Sequence, residues 1–317
     1  VIEDPACPVC DLRTWRELGR HTYRRNEQNS KPAYIRNRYR AIFEVLRPGS
    51  DEFEIASQLC SSCGFVLHTP RQTSADRSAV YGFLGSLADN APSSPHRADR
   101  EQQRARRLYK RIGALKKGAS ILDYGGSDGR LLRDFVAGGA TCHVIDYRLD
   151  PIEGVVRIGQ DENDIPQTGV YNAVICSHVL EHLAEPLQVL QALALSLRPG
   201  GILYAEVPME IWRRPPEPKE PITHVNYFTP ATLGYLLGRA GLEVRSTRLI
   251  SYAYGSGASA LAVECIGVKQ PARSADPPGS GETESFLHPG LALTLKRAWL
   301  MPGTVARNVM ARSGANR

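Results

Sequence analysis

The sequence predicts an α/β protein in which a doubly wound, mostly parallel seven-stranded sheet follows a small cysteine-bearing module. Three observations carry that expectation. From about residue 76 to 267, apolar strand-like runs alternate with helical patterns, as βαβ units around a parallel sheet do. A glycine-rich turn, Asp123-Tyr-Gly125-Gly126-Ser127-Asp128-Gly129, follows the first of these runs. Two Cys-x-x-Cys pairs, Cys7/Cys10 and Cys60/Cys63, precede all of them.

Each element can be justified in order. Residues 119–124 form a strand-like run into the glycine turn, and 129–137 read as the helix after it. Residues 140–147 make a second strand that ends on the acid Asp146, and a third short strand lies near Val155. The run 171–178 is apolar enough for a buried strand. An amphipathic helix over 184–197 is stopped by Arg198-Pro-Gly-Gly201, because proline and glycine end helices. A strand over 201–208 and a helix over 229–240 follow. Residues 242–250 and 258–266 then read as an antiparallel closing pair.

Three regions result: a metal-binding module with a basic insert at 1–75, the α/β domain at 76–267, and a linker with a basic tail at 268–317. The Pro-, Gly- and Ser-rich stretch 270–285 carries the linker reading. The tail segment 285–302 has the pattern of a short basic amphipathic helix, with packing on the core as the simplest use.

The 317 residues are 42% hydrophobic and 23% charged, ordinary values for a globular chain. No apolar run approaches the roughly 18 residues that span a bilayer. The first residues lack the basic start and apolar core of a secretory signal, and the expected compartment is the cytoplasm. The seven cysteines agree with a reducing compartment. Cys142, Cys176 and Cys265 are single residues in apolar segments, while the paired spacing of the other four suits a metal better than a disulfide framework.

Two Cys-x-x-Cys knuckles supply four thiolates, a complete tetrahedron for Zn2+ with no open position, so the expected role is structural. A redox pair is the alternative. The separation of the knuckles is wide, and the basic stretch 11–59 between them is expected to loop out. The formal charge is +6, and basic residues crowd 13–47, 97–117 and the tail from Lys296. Such clusters attract phosphate-bearing partners. Without an aromatic-interleaved RNA motif, solvated helix faces are the simpler reading, and a nucleic-acid partner is not favoured.

Ligands of open parallel sheets sit beyond the carboxyl ends of the strands. The glycine turn lies there, and Asp146 ends the next strand, where a carboxylate accepts hydrogen bonds from ribose hydroxyls. That combination points to a nucleoside-containing cofactor. An acid inside the loop, Asp128, would repel the pyrophosphate of a dinucleotide but suits a ligand with amino and sulfonium cations, which argues against NAD.

These residues resemble a known family. Asp-Tyr-Gly-Gly-Ser-Asp-Gly-Arg-Leu-Leu, from Asp123, is similar to the first motif of class I S-adenosylmethionine-dependent methyltransferases. Cys176-Ser-His-Val-Leu-Glu-His-Leu-Ala-Glu-Pro resembles their fourth-strand motif, and Arg198-Pro-Gly-Gly-Ile-Leu the approach to their fifth strand. His224-Val-Asn-Tyr-Phe-Thr-Pro-Ala-Thr-Leu resembles a segment further downstream. The likeness covers about 105–267 and implies a Rossmann-like methyltransferase fold with S-adenosylmethionine as cofactor. By position, Asp123, Gly125, Gly126, Ser127 and Gly129 would line its methionine and ribose part, Asp146 would hold the ribose, Asp161 would meet the adenine amino group, and Ser177 and His178 would border the sulfonium. Two positions depart from the pattern: Ser127 stands where many relatives carry glycine, and Asn172 where an aspartate commonly begins the fourth strand.

The N-terminal knuckles resemble the zinc-binding part of bacterial methyltransferases that modify sugars, including nucleotide-sugar C-methyltransferases. Cys60-Ser-Ser-Cys-Gly-Phe-Val-Leu-His-Thr-Pro-Arg looks like their second knuckle, and Tyr81-Gly-Phe-Leu-Gly-Ser like the aromatic segment after it. The likeness implies that Tyr81 reaches the active site and makes His224 the first candidate base, with Thr223 in place of their glutamate. His178 is the second candidate. His178-Val-Leu-Glu181-His182 also spells an inverted zinc-protease pattern. That site needs both histidines on one helical face, whereas His178 follows a strand; Glu181 and His182 are instead expected to cap and anchor the next helix. The expected function is methyl transfer, to oxygen or carbon, on a small-molecule acceptor such as a nucleotide-linked or free sugar or a natural-product intermediate. An RNA or protein methyltransferase, and a non-catalytic scaffold of the same fold, are the alternatives.

Overall fold

A computed structural model describes residues 1–87, 95–113, 117–147, 150–212, 215, 222–254, 258–270 and 276–301. The chain opens with β1 (Trp15–Arg24), α1 (Ala33–Ala41), β2 (Glu52–Cys60) and β3 (Val66–Thr69). The helix α2 (Ser74–Ser86) follows, its first turn closed by a reciprocal bond pair between Thr73 and Asp76, an N-cap that satisfies two orphan amides. The long α3 (Pro95–Ile112) then leads into the α/β part.

That part runs β4 (Ser120–Tyr124), α4 (Arg133–Ala137), β5 (Thr141–Ile145), β6 (Val155–Gly159), β7 (Tyr171–Ser177), α5 (Pro186–Ser196), β8 (Leu197–Pro208), β9 (Asn226–Tyr227), α6 (Pro230–Arg239), β10 (Glu243–Tyr254) and β11 (Ala258–Val268). Seven of these strands form one sheet in the order β6-β5-β4-β7-β8-β11-β10. The pairs from β6 to β8 are parallel, and β11 is antiparallel to both of its neighbours. The doubly wound seven-stranded sheet and its antiparallel closing pair are therefore as the sequence predicts. Order reverses between β4 and β7, which places the switch point at the glycine turn.

Both faces of the sheet are covered, which is why its central strands read as continuous apolar runs rather than alternating ones. Ile121, Val144, Ala173 and Ile175 face Leu108 and Ile112 of α3 and Phe135 of α4. Leu122, Val174 and Cys176 face the other way, toward Leu190 and Leu193 of α5 and Leu233 and Leu237 of α6.

Two expectations need correction. The basic stretch between the knuckles does not loop out: β1, α1 and β2 fold it onto a third core of Tyr23, Tyr39, Ile42, Phe43, Phe53, Ile55, Val80 and Ile222. The arginines of this stretch alternate with aromatic and branched residues that need burial, and the hydrophobic term decides. The end of the supposed linker is also ordered. Helices α7 (Gly281–Leu287) and α8 (Leu291–Leu300) follow residue 280, and the Thr283 hydroxyl donates to the Gly64 carbonyl at 2.6 Å. Gly64, at φ +79°, has the room: a Cβ there would meet the Gly279 carbonyl at 2.7 Å. Phe286 and Leu287 are buried, Phe286 against Trp212 with ring centroids 5.4 Å apart.

A second sheet, β1-β2-β3-β9, joins the N-terminal part to the α/β part, since β9 belongs to the segment after β8. Val66 pairs with Tyr227 and Leu67 with Asn226. No described helix is long and apolar enough to cross a membrane.

Candidate active site

The strand β4 delivers the turn 125–129 at the open end of the sheet. Gly125, Ser127 and Gly129 all have left-handed backbones, with φ of +70°, +58° and +75°. Ser127 is the costly one, because a side chain disfavours that region; its amide is compensated by a 2.9 Å bond to the Asp146 carboxylate at the end of β5. Gly126 is needed for a different reason: a Cβ there would sit 2.3 Å from the Asp123 carboxyl. Asp123 is buried, and one of its oxygens has no hydrogen-bond partner among the described residues. Burial pushes its pKa up to about 8. Asn172, the departure at the head of β7, accepts the Ser120 amide at 2.9 Å and so ties β4 to β7.

At the ends of β7 and β8, charge is concentrated and buried. Glu206 of β8 is 1% exposed. Arg104 and Arg107 of α3 donate to it at 3.1 and 2.5 Å, Tyr204 at 2.5 Å and the His178 ring at 3.1 Å. Burial opposes ionisation of Glu206, yet His178 and the arginines hold its carboxyl well below the usual range. Arg104 also donates to Ser177 at 3.0 Å. His178 adopts φ +58° and packs edge-on to Tyr252 at 5.1 Å. Burial disfavours its cation, but Glu181 and Glu206 outweigh that and raise its pKa.

Beyond His178 lies a histidine cluster. One ligand-type atom from each of Glu181, His182 and His224 falls within 4.8 Å of the others. His182 donates from Nδ1 to the Thr223 carbonyl at 2.7 Å, and His224 Nδ1 bonds the Glu210 carboxylate at 2.8 Å; both bonds direct the remaining lone pair to Nε2. Burial pushes His182 down to about 4, which leaves it neutral near pH 7. Glu181 is 1% exposed; among the described residues its carboxylate pairs with the His178 ring at 3.5 Å and the His182 ring at 3.7 Å and has no closer hydrogen-bond partner. Tyr81 of α2 meets the His182 ring edge-on at 6.0 Å.

The four paired cysteines also converge. Cys7 and Cys63 lie 3.7 Å apart between sulfurs, Cys10 and Cys60 3.5 Å, and all four sulfurs lie within 4.8 Å of one another. All seven cysteines are free thiols. The donor set, four converging sulfurs without a disulfide, fits a tetrahedral soft cation.

The predicted residues therefore fall into three groups. Asp123, Gly125, Gly126, Ser127, Gly129 and Asp146 meet at the turn, Ser177 and His178 border it, and His224 and Tyr81 meet around His182. Asp161 lies just beyond the end of β6, which pairs with β5 beside Asp146; its carboxylate accepts from the Asn163 amide at 2.8 Å and caps a 3₁₀ turn. Asp128 does not offer a free negative charge, because Arg130 grips it at 2.7 Å. Glu181 and His182 do not cap α5, whose N-cap is Glu185 with no side-chain bond. They lie in a separate 3₁₀ turn, and His182 anchors Thr223 instead. Sequence reasoning missed Glu206, Arg104, Arg107, Tyr252, Glu210 and Arg77. An acid inside the apolar run 201–208 was the available signal for Glu206; the arginines of α3 read as a solvated face until their buried partners are seen.

A Rossmann-like sheet with a nucleoside-type turn at its switch point defines the class, and similarity to known proteins narrows it. A family model described as a methyltransferase domain matches residues 96–247. The ubiquinone biosynthesis O-methyltransferase of Aeromonas salmonicida is 30% identical over 165 residues, 43% of this chain and 68% of that protein. Its counterpart from Actinobacillus pleuropneumoniae is 30% identical over 129 residues, 35% of this chain and 51% of that protein, so the chain spans about half the length of that relative. A solved methyltransferase from Aquifex aeolicus is 20% identical, with a TM-score of 0.42 over 58% of this chain and 97% of that one. The chain belongs to the class I S-adenosylmethionine-dependent methyltransferases.

The raised pKa of Asp123 has a thermodynamic consequence. Its folded-state value of about 8 lies above the ordinary carboxyl value of about 3.9, so the folded state binds a proton that the unfolded state has released. Stability is full below the unfolded value and falls as pH rises toward 8. Denaturant unfolding without cofactor should show wild-type protein losing stability, on the order of a few kcal/mol, from about pH 5 to 8 relative to Asp123→Asn. Parallel profiles for the two proteins would refute the assignment.

Proposed function

We propose that this chain moves the methyl group of S-adenosylmethionine to a hydroxyl of a small-molecule acceptor, a sugar or natural-product intermediate. The observation that carries the reading is that the nucleoside-type turn packs at Gly125 on Val179, whose neighbour His178 pairs with Glu181 of the histidine cluster at 3.5 Å. The cofactor supplies an electrophilic methyl on a sulfonium, so the protein's tasks are to orient two ligands and to remove a proton. The fit to that cofactor rests on the left-handed turn, which brings backbone close to a ligand, on Asp146 for ribose hydroxyls, and on the unpartnered Asp123 oxygen beneath the turn.

His224 is the base in this reading. Glu210 holds its Nδ1–H, which makes Nε2 the basic nitrogen that takes the acceptor's proton. The relatives' designation as O-methyltransferases, and Thr223 in place of a glutamate, favour oxygen over carbon. The spending of Arg104, Arg107 and Arg111 on buried carboxylates favours a small acceptor over RNA. A second route to the same deprotonation has its own observation: two histidines and a buried carboxylate within 4.8 Å are a donor set for a divalent cation, which would make a bound hydroxyl more acidic.

Calorimetric titration with S-adenosylhomocysteine tests the cofactor. Micromolar binding is expected, and Asp146→Ala should weaken it at least tenfold; folded wild-type protein that does not bind would end the methyltransferase reading in favour of a scaffold. With an acceptor in hand, His224→Asn should lower kcat by about 10²- to 10⁴-fold. A chelator too weak to take zinc from four thiolates separates the two routes, since proton transfer to His224 alone is unaffected by it, whereas a cation-assisted reaction stops and returns with added Mg2+ or Mn2+.

The cysteine cluster is, in the same reading, a structural Zn2+ site. Elemental analysis should find one zinc per chain, lost in Cys60→Ser. Because β3 leaves this knuckle and pairs with β9 two residues after His224, the loss should also cost thermal stability.

A further inference from the structure

Two arginines are buried among the described residues, Arg71 and Arg77. Arg71 is saturated: it donates to Asn226 at 3.0 Å and to the carbonyls of Leu183 and Ala184. Arg77 is not. It is 8% exposed, its Nη1 is buried with no hydrogen-bond partner, and the guanidinium contact it makes is the Tyr81 ring, 5.3 Å from its centre. No described carboxylate forms an ion pair with it. Burial is the first of the influences on its pKa and acts downward, with only weaker help from Tyr81, Glu162, Tyr124 and Tyr147.

A guanidinium does not escape this cost by losing its proton, because its pKa is too high. Taking one out of water without an anion is strongly unfavourable, and the ring quadrupole of Tyr81 offsets only part of that. The position is specific. Arg77 and Tyr81 stand one turn apart on α2, Tyr81 touches His182, and His182 lies 4.8 Å from His224 between ring centroids. The missing anion therefore belongs beside the groups that would activate a hydroxyl.

We infer that Arg77 is the docking point for an oxyanion carried by the methyl acceptor, so that the acceptor is a hydroxylated carboxylate or phosphate ester and not a neutral molecule. The inference rests on the methyltransferase reading above and deepens it. A guanidinium fork matches two oxygens of either group, so the shared chemistry is a planar or tetrahedral oxyanion. The two sources, a carboxylic acid and a phosphorylated or nucleotide-linked compound, are separated by experiment.

Wild type, Arg77→Met and Arg77→Lys are first titrated with S-adenosylhomocysteine, then, in its saturating presence, with benzoate and with inorganic pyrophosphate, followed by ligand-observed NMR. All three proteins should bind S-adenosylhomocysteine equally. Wild type should bind one of the two anions; Arg77→Met should weaken that binding at least tenfold, and Arg77→Lys should keep part of it. Whichever anion binds better names the source. Without ligand, Arg77→Met should melt no lower than wild type, because it removes an unpaired buried charge. Unchanged anion binding in Arg77→Met, or no anion binding by wild type, overturns the inference. Loss of S-adenosylhomocysteine affinity in Arg77→Met also overturns it, by assigning the arginine to the cofactor. Failure of wild type to bind S-adenosylhomocysteine is a separate result, seen before any anion is added, and removes the reading on which the inference stands.

Discussion

The carboxylate of Glu206 is the constraint from which much of the site follows. It sits inside a strand that is otherwise apolar, at 1% exposure, where an unpaired charge would be worth several kcal/mol against folding. Four donors converge on it, two from α3, one from its own strand and one from the residue that ends the turn after β7. The helix α3 is thereby held across the ends of β7 and β8, and His178 is held in a left-handed backbone that it would not adopt alone. Glu264 of β11 repeats the device one strand away, with Arg111 from α3 and Arg248 from β10. A helix with a strongly basic face is thus a closing element of the sheet, and three of its arginines, Arg104, Arg107 and Arg111, turn to buried carboxylates.

A second set of buried polar groups fixes the segment that carries His224. Asn226 donates to the carbonyls of Leu180 and Leu183 and accepts from Arg71; the Val225 amide donates to the Glu181 carbonyl. On the other side, the Tyr227 hydroxyl bonds the His68 ring at 2.6 Å, and Phe65 packs on Phe228 at 5.1 Å. The cysteine knuckle and the histidine cluster are consequently two ends of one network. A satisfied buried network gives a single geometry, and here that geometry brings Glu181 and His182 to the segment of His224, the His182 ring bonding Thr223, 41 positions later.

The sheet was legible because its evidence is local. Strand periodicity, the stop at Arg198-Pro-Gly-Gly201 and the glycine turn each lie within a few residues, and the structure follows them. The turn residues were legible for the same reason, since only small or tolerant residues fit a left-handed backbone. What could not be read was pairing over long separations. Arg104 looks solvated until Glu206, about a hundred positions later, is brought beneath it. The insert between the knuckles looks like a loop if its arginines are counted, and like a core if Tyr23, Phe43 and Phe53 are. Net charge and spacing describe a segment; partners decide what it does.

Partners also show where the protein is incomplete by itself. Folding a charge into the interior is tolerated when a counter-charge or donor set goes with it, and most buried charges here obey. Among the described residues, the buried ionisable side chains with wholly or partly unmet hydrogen bonding are Asp123, Glu181 and Arg77, apart from a single nitrogen of the otherwise bonded Arg107 and the half-buried Arg157. The three do not scatter. Asp123 lies under the turn, Glu181 beside His178 and His182, and Arg77 behind Tyr81. Near pH 7 they differ in charge: Asp123 keeps its proton, Glu181 has the His178 and His182 rings beside it, and Arg77 has no counter-charge in contact among the described residues. A hydrogen-bond acceptor at the turn and an anionic group at α2 would complete Asp123 and Arg77, as the proposed cofactor and an acidic acceptor would supply.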